Sequence, residues 1–207
     1  MVKDYLKPAL TFNEQLEQLQ ERGLVIKDHD RALSLLGSIS YYRLSAYWHP
    51  LRVRGKHGKI ADGFIIDACF DDVIRLYEFD RQLRLLILDA IERIEVHVRT
   101  LITYHLGHTY GGFGHVDAAS FHPRFKHTQW LENIEKETIR SRDAFITHYK
   151  NNYLGFPALP IWMITEVMSL GSLSFCYKGL KNNDKKAISQ KFGLHHKRLV
   201  DWLHELT

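Results

Sequence analysis

From Phe70 to Leu106 neither proline nor glycine interrupts the chain. Within this stretch Leu76, Leu83, Leu86, Ile87, Ala90, Ile94, Val98, Leu101 and Ile102 recur at helical spacing, the period of an amphipathic helix with one apolar face. Asp71 and Asp72 suit its N-cap and first turn, and Gly107 suits its C-terminal stop, with His105 in the last turn. Asp80–Arg84, Asp89–Arg93 and Glu95–Arg99 place an acid four residues before a base, and each such pair adds roughly 0.2–0.5 kcal/mol. At about 1.5 Å per residue the helix runs roughly 50 Å, long enough to be the spine of an all-α domain. Asp89, Glu92, Arg93, Glu95 and Arg99 crowd its middle turns. They read either as a solvated stripe tied by ion pairs or as a polar cluster, half-buried between helices, that lines a site.

The remaining pattern adds helices on both sides. Pro8 keeps Tyr5 to Leu10 extended. Thr11 and Glu14 have capping-box spacing, so a helix carrying Leu16 and Leu19 starts there and stops at Gly23. Asp28 or Asp30 caps a second, with Ala32, Leu35, Leu36 and Ile39, which leads into Ser40 to Trp48 and ends at Pro50. Residues 51–60 admit at most a small β-hairpin across Gly55 and Gly58. Beyond the long helix, His108 to His127 is irregular. Thr128 caps a helix carrying Trp130, Leu131, Ile134, Phe145, Ile146 and Tyr149. Pro160 starts another through Trp162, Ile164, Val167, Met168 and Leu173, and Asp184 caps Lys185 to Phe192. A final helix shows Leu199, Trp202, Leu203 and Leu206 on one face and runs to Thr207 without a stop signal. The pattern predicts a single all-α domain over 1–207, a helical bundle around one long central helix. Its N-terminal helical part is 1–63 and its central bundle 64–207, truncated at the C-terminus.

Composition narrows the chemistry. With 45% hydrophobic and 25% charged residues the chain is an ordinary globular protein, and a formal charge of +4 permits nucleic-acid binding without demanding it. The two cysteines form no metal or disulfide framework, the N-terminus shows no apolar leader, and the most apolar stretch, Ile161 to Leu173, contains Glu166 and is too short to span a bilayer. A cytoplasmic protein without a membrane partner is expected. The 13 histidines raise the idea of zinc, but no H-E-x-x-H and no C-x-x-C occurs, and His195 and His196 are neighbours that point apart on a helix. Neither a metal site nor a cofactor is expected.

Two groups suit RNA. Tyr41, Tyr42, Tyr47 and Trp48 flank Arg43. Such rings either stack on bases of a single strand or form a helix-interface core. Arg52, Arg54, Lys56 and Lys59 fall together in the basic loop, where they can meet phosphates or simply face solvent. The candidate RNA-binding set is therefore Arg43, Arg52, Arg54, Lys56 and Lys59.

The runs SYYRLSAYW (40–48) and YEFDRQLRLLILDAIERIE (77–95), with Lys7-Pro8, Tyr104 to Gly107, Leu159 to Trp162 and Trp202 to Thr207, resemble the Abi-like (AbiD/AbiF) abortive-infection proteins, bacterial phage-resistance proteins similar to HEPN-domain proteins. The resemblance implies a HEPN-like bundle that acts on RNA as a metal-independent ribonuclease. An arginine would steady a phosphate while a histidine moves the proton of the attacking 2′-hydroxyl. In the family the Arg-Asn-x-x-x-His motif follows the segment matching Trp202 to Thr207, so it is expected beyond Thr207 in complete relatives. Within the chain Arg99–His105 fits the spacing, with Thr100 where asparagine is usual. Arg43–His49, Arg142–His148 and Arg198–His204 fit it too; with so many histidines each arginine has roughly one chance in five of a match, and spacing alone decides nothing. The catalytic candidates are Glu95, Arg99 and His105. RNA is the expected partner, with a second copy of the chain as another. The alternative is a non-enzymatic RNA- or protein-binding interaction module.

Overall fold

The computed structural model describes residues 8–55 and 59–207. Lys56 and His57 of the basic loop, and the extended run before Pro8, lie outside the described residues. The protein is all-α with one small antiparallel hairpin, and it packs as two compact units, Met1–Ile87 and Leu88–Thr207.

The first unit holds α1 (Phe12–Glu21), α2 (His29–Ile39), α3 (Tyr41–Trp48), β1 (Arg52–Arg54), β2 (Ile60–Phe64) and the start of α4 (Phe70–Tyr110). The capping box of α1 forms: the Glu14 amide donates to Thr11 Oγ1 at 3.3 Å and the Thr11 amide donates to the Glu14 carboxylate at 2.7 Å. Ser40 separates α2 from α3 at a φ of 75°, a left-handed position that strains a residue with a Cβ. It serves both helices, its amide donating to the Leu36 carbonyl and its hydroxyl accepting from the Arg43 amide. The core comprises Leu16 and Leu19 of α1, Leu36 of α2, Leu44 and Trp48 of α3, and Phe70, Val73 and Ile74 of α4. β1 and β2 pair antiparallel, Arg52 opposite Phe64 and Arg54 opposite Ile60, with a register irregularity between.

The second unit continues α4 and adds α5 (His127–Arg140), α6 (Ala144–Asn152), α7 (Ile161–Val167), α8 (Leu170–Gly179), α9 (Asn182–Gln190) and α10 (His196–Glu205). Val98, Ile102 and Leu106, one turn apart, form the buried stripe of α4. They belong to one core with Trp130 and Ile134, Ile161 and Ile164, Leu173, Cys176 and Tyr177, and Leu199 and Leu203.

Several elements differ from the sequence pattern. The apolar period of α4 runs from Leu76 to Ile102, but every residue from Arg81 to Ala90 is exposed, Leu86 at 71%. Periodicity marks a face able to be covered; burial requires a neighbour, which α4 finds only toward its ends. Gly107 does not stop α4. It lies inside the helix, where an added Cβ would come 3.5 Å from Ile161, and the turn is made by Gly111 at a φ of 79°. The helix expected from 128 through Tyr149 breaks at Ser141–Asp143, and that after Pro160 breaks at Met168–Ser169, where the Ser169 hydroxyl accepts from the Ser172 amide and caps α8. The C-terminal stripe, by contrast, follows its pattern: Leu199 and Leu203 are buried in the core of the second unit, while Trp202 stays 51% exposed. Among the described residues no helix is long and apolar enough to cross a membrane, and no group of histidine, cysteine or acidic residues is arranged to hold a metal ion.

Candidate functional site

In the first unit, packing sorts the aromatic run. Trp48 is buried, with Tyr41 edge-on to it at 4.8 Å between ring centroids. The Tyr41 hydroxyl donates to Gln18 and accepts from Arg22, both at 3.2 Å. Tyr47 donates to the Asp80 carboxylate at 2.6 Å, which holds its phenol above the usual pKa. Only Tyr42, 89% exposed, remains open to a ligand, and it neighbours the exposed Arg43. The basic residues are sorted as well. Arg52 pairs with Asp62 at 3.0 Å and lies over the Phe64 ring at 5.6 Å, so it fastens β1 to β2. Arg54 and Lys59 are exposed beside each other at the end of the hairpin, where the Gly55 amide donates to the Lys59 carbonyl at 2.8 Å. Arg43, Arg54 and Lys59 make no ion pair among the described residues.

In the second unit Glu95 and Arg99 are one turn apart on α4 and form an ion pair. Arg99 is buried, and its Nη2 also donates at 3.0 Å to the carbonyl of Met168. That carbonyl lies at the break between α7 and α8, where a helix end leaves acceptors unused. Nη1 of Arg99 is buried without a partner among the described residues. His105 is six residues further on, about 120° round the helix from Arg99, and meets other groups. Its Nε2 lies 2.8 Å from Asp184 Oδ1, and the Tyr110 hydroxyl donates to Asp184 Oδ2 at 2.8 Å. Burial, with the Asp184 carboxylate adding to it, pushes the Tyr110 phenol up to about 12.

The structure therefore joins Glu95 to Arg99 and keeps His105 in a separate network. The first network fastens α4 to the α7–α8 junction; the second fastens α4 to α9. A carboxylate that orients an imidazole is one part of general-base chemistry, but the phosphate-steadying arginine of the spacing pattern faces elsewhere. Asp184 and Tyr110 were not legible as partners of His105. Asp184 looks like a helix cap in sequence, yet it lies inside the first turn of α9 with its carboxylate turned to α4. The histidines also prove to be packing residues in part. His115 is 1% exposed with both ring nitrogens unpartnered, and its own carbonyl lies 2.8 Å from Nε2 of His127.

No curated protein and no solved structure matches the chain. The family described as Abi-like protein matches residues 34–207, from the middle of α2 through all of the second unit. That span is well over half of the sequence, and the chain belongs to the Abi-like protein family.

Proposed function

We propose that this protein is a bacterial abortive-infection, phage-defence protein that acts on RNA. The family match over residues 34–207 carries the reading. The exposed cations Arg43, Arg54 and Lys59, with Tyr42 beside the first of them, support the choice of ligand. In relatives a metal-independent HEPN-type ribonuclease motif is expected after the segment matching Trp202 to Thr207, and the Glu95–Arg99 pair then belongs to the scaffold behind it. A second reading, an RNA- or protein-binding module without catalysis, is favoured by one observation: Arg99 and His105 engage different partners.

Titration of labelled single-stranded RNA tests the reading. Four phosphate contacts give a salt slope near −3 on a single strand, so raising salt from 50 to 200 mM should weaken binding roughly fiftyfold. Replacing Arg43, Arg54, Lys56 and Lys59 with alanine should flatten most of that slope, whereas an unchanged slope removes these residues from the interface. The same RNA incubated with a chelator reports on cleavage. Cleavage that Arg99→Ala and His105→Ala each abolish would place catalysis at that pair and defeat its reading as scaffold.

A further inference from the structure

A cleft of about 750 Å³ opens in the second unit between the segment 122–126, α5 and α8, with Lys185 of α9 at its edge. That size is within the range of small-ligand clefts. None of the residues discussed above as RNA contacts lines it, and three features of its lining point the same way.

The first is an aromatic floor. Phe125 and Phe175 lie 5.2 Å apart between ring centroids, and Trp130 lies 5.7 Å from Phe125. Phe175 is 39% exposed, so part of its ring faces solvent. Trp130 is itself buried and backs Phe125, its indole N–H donating to the Ser172 carbonyl at 3.3 Å. Phe125 lies flat on Gly179, where an added Cβ would come within 2.6 Å of the ring.

The second is the charge. Arg124, Lys126, Lys178 and Lys185 line the cleft, and among the described residues no aspartate or glutamate does. None of the four makes an ion pair among the described residues. Lys185 is partly buried, and among the described residues its ammonium finds only the Lys178 carbonyl, at 3.2 Å. Burial without a counter-charge lowers its pKa, the position of a cation that an anion would stabilise.

The third is a pair of amides. Gln129 and Asn133 sit on α5 at i and i+4, on the face that also carries Lys126 and Trp130. Side-chain amides both donate and accept, as base edges do. An acidic peptide would satisfy the cations but would leave the rings and amides without a role.

We propose that this cleft binds single-stranded nucleic acid one nucleotide deep: a base stacks on Phe175 beside Phe125, its edge meets Gln129 and Asn133, and the flanking phosphates meet Lys126, Lys178 and Lys185. The inference shares its ligand class with the proposed function but concerns a different surface, and either can fail alone.

The test is fluorescence anisotropy of a labelled uridine octamer with the full chain. Phe175→Ala should weaken binding between roughly fivefold and a hundredfold, the range for loss of one stacking ring. Lys126→Glu with Lys178→Glu should weaken it at least tenfold at low salt, on the order expected when phosphate contacts are reversed in sign. All three residues are exposed, and circular dichroism confirms that each variant is folded. Binding unaffected by these changes but lost with Arg54→Ala and Lys59→Ala overturns the cleft and leaves the hairpin reading standing. Uridine monophosphate competing as well as the octamer marks a free-nucleotide site and overturns the strand. Poly-glutamate competing equally, with Phe175→Ala silent, reduces the cleft to a charged patch and overturns the proposal as well.

Discussion

Replacing Trp130 with alanine should destabilise the protein by about 3–5 kcal/mol, the usual range for removing a buried tryptophan. The ring is 1% exposed and lies 5.1 Å from Phe121 and 5.7 Å from Phe125, centroid to centroid. Its removal therefore loses packing on several sides at once, together with the hydrogen bond that its N–H donates to the Ser172 carbonyl. A domain stable by only 5–15 kcal/mol feels such a loss severely. Trp130→Phe keeps most of the apolar volume and should fall well short of the alanine effect. Trp202→Ala is the contrast: half-exposed on α10, it should change stability by no more than about 0.5 kcal/mol. Thermal and urea unfolding followed by circular dichroism reads all three, and equal effects of the two alanine substitutions would contradict the packing described for α5.

Acidification should destabilise the protein by an amount on the order of 3 kcal/mol through His115 alone. Burial, with a smaller contribution from neighbouring His127, lowers the His115 pKa from 6.5 to about 4. The folded state thus holds the neutral ring while the unfolded chain accepts a proton near its ordinary pKa. Above pH 6.5 neither state is protonated there and stability does not depend on this group. Between 6.5 and about 4 the unfolded state binds more protons, so stability falls as pH falls, by nearly 1.4 kcal/mol per pH unit. Below about 4 both states are protonated and the loss levels off. His115→Leu removes the titration and also removes two buried nitrogens without partners. Stability of the two proteins measured from pH 7 to 4 should diverge steadily, the leucine form gaining relative to the parent. Parallel curves would show that His115 is hydrated or partnered in solution.

The helical pattern was legible because most of its determinants are local. Thr11 and Glu14 announce α1, and Val98 and Ile102 belong to the stripe that is in fact buried. The family runs at 40–48 and 77–95 were equally open to reading. What the sequence hid depends on distant chain. Whether Leu86 or Leu106 is covered is set by which helices return to α4, and hydrophobic period carries no such information. Gly107 matches a stop signal and a close-packing position equally well, until Ile161 arrives beside it. The candidate sites follow the same division. Arg54 and Lys59 are exposed where a basic loop suggests they should be, whereas Arg52 is occupied by Asp62 ten residues on. The cleft residues Lys126, Phe175 and Lys178 carry no motif, because they meet only when α5 and α8 pack together.

The stretch of α4 from Arg81 to Ala90 is helical yet exposed throughout. Its hydrogen bonds are internal to the helix, and its side-chain support comes from pairs such as Arg84–Asp80 at 3.0 Å and Arg93–Asp89 at 3.0 Å. Such pairs supply only a few tenths of a kcal/mol each, and a helix this short is marginal in water when nothing packs on it. Its helicity is therefore lent by the anchored turns on either side. Amide protons there should exchange with solvent far faster than those around Ile102, and trypsin should cut first at Arg81 or Arg84. The longest helix of the protein would then be nicked within its exposed stretch while the core around Trp130 is still intact.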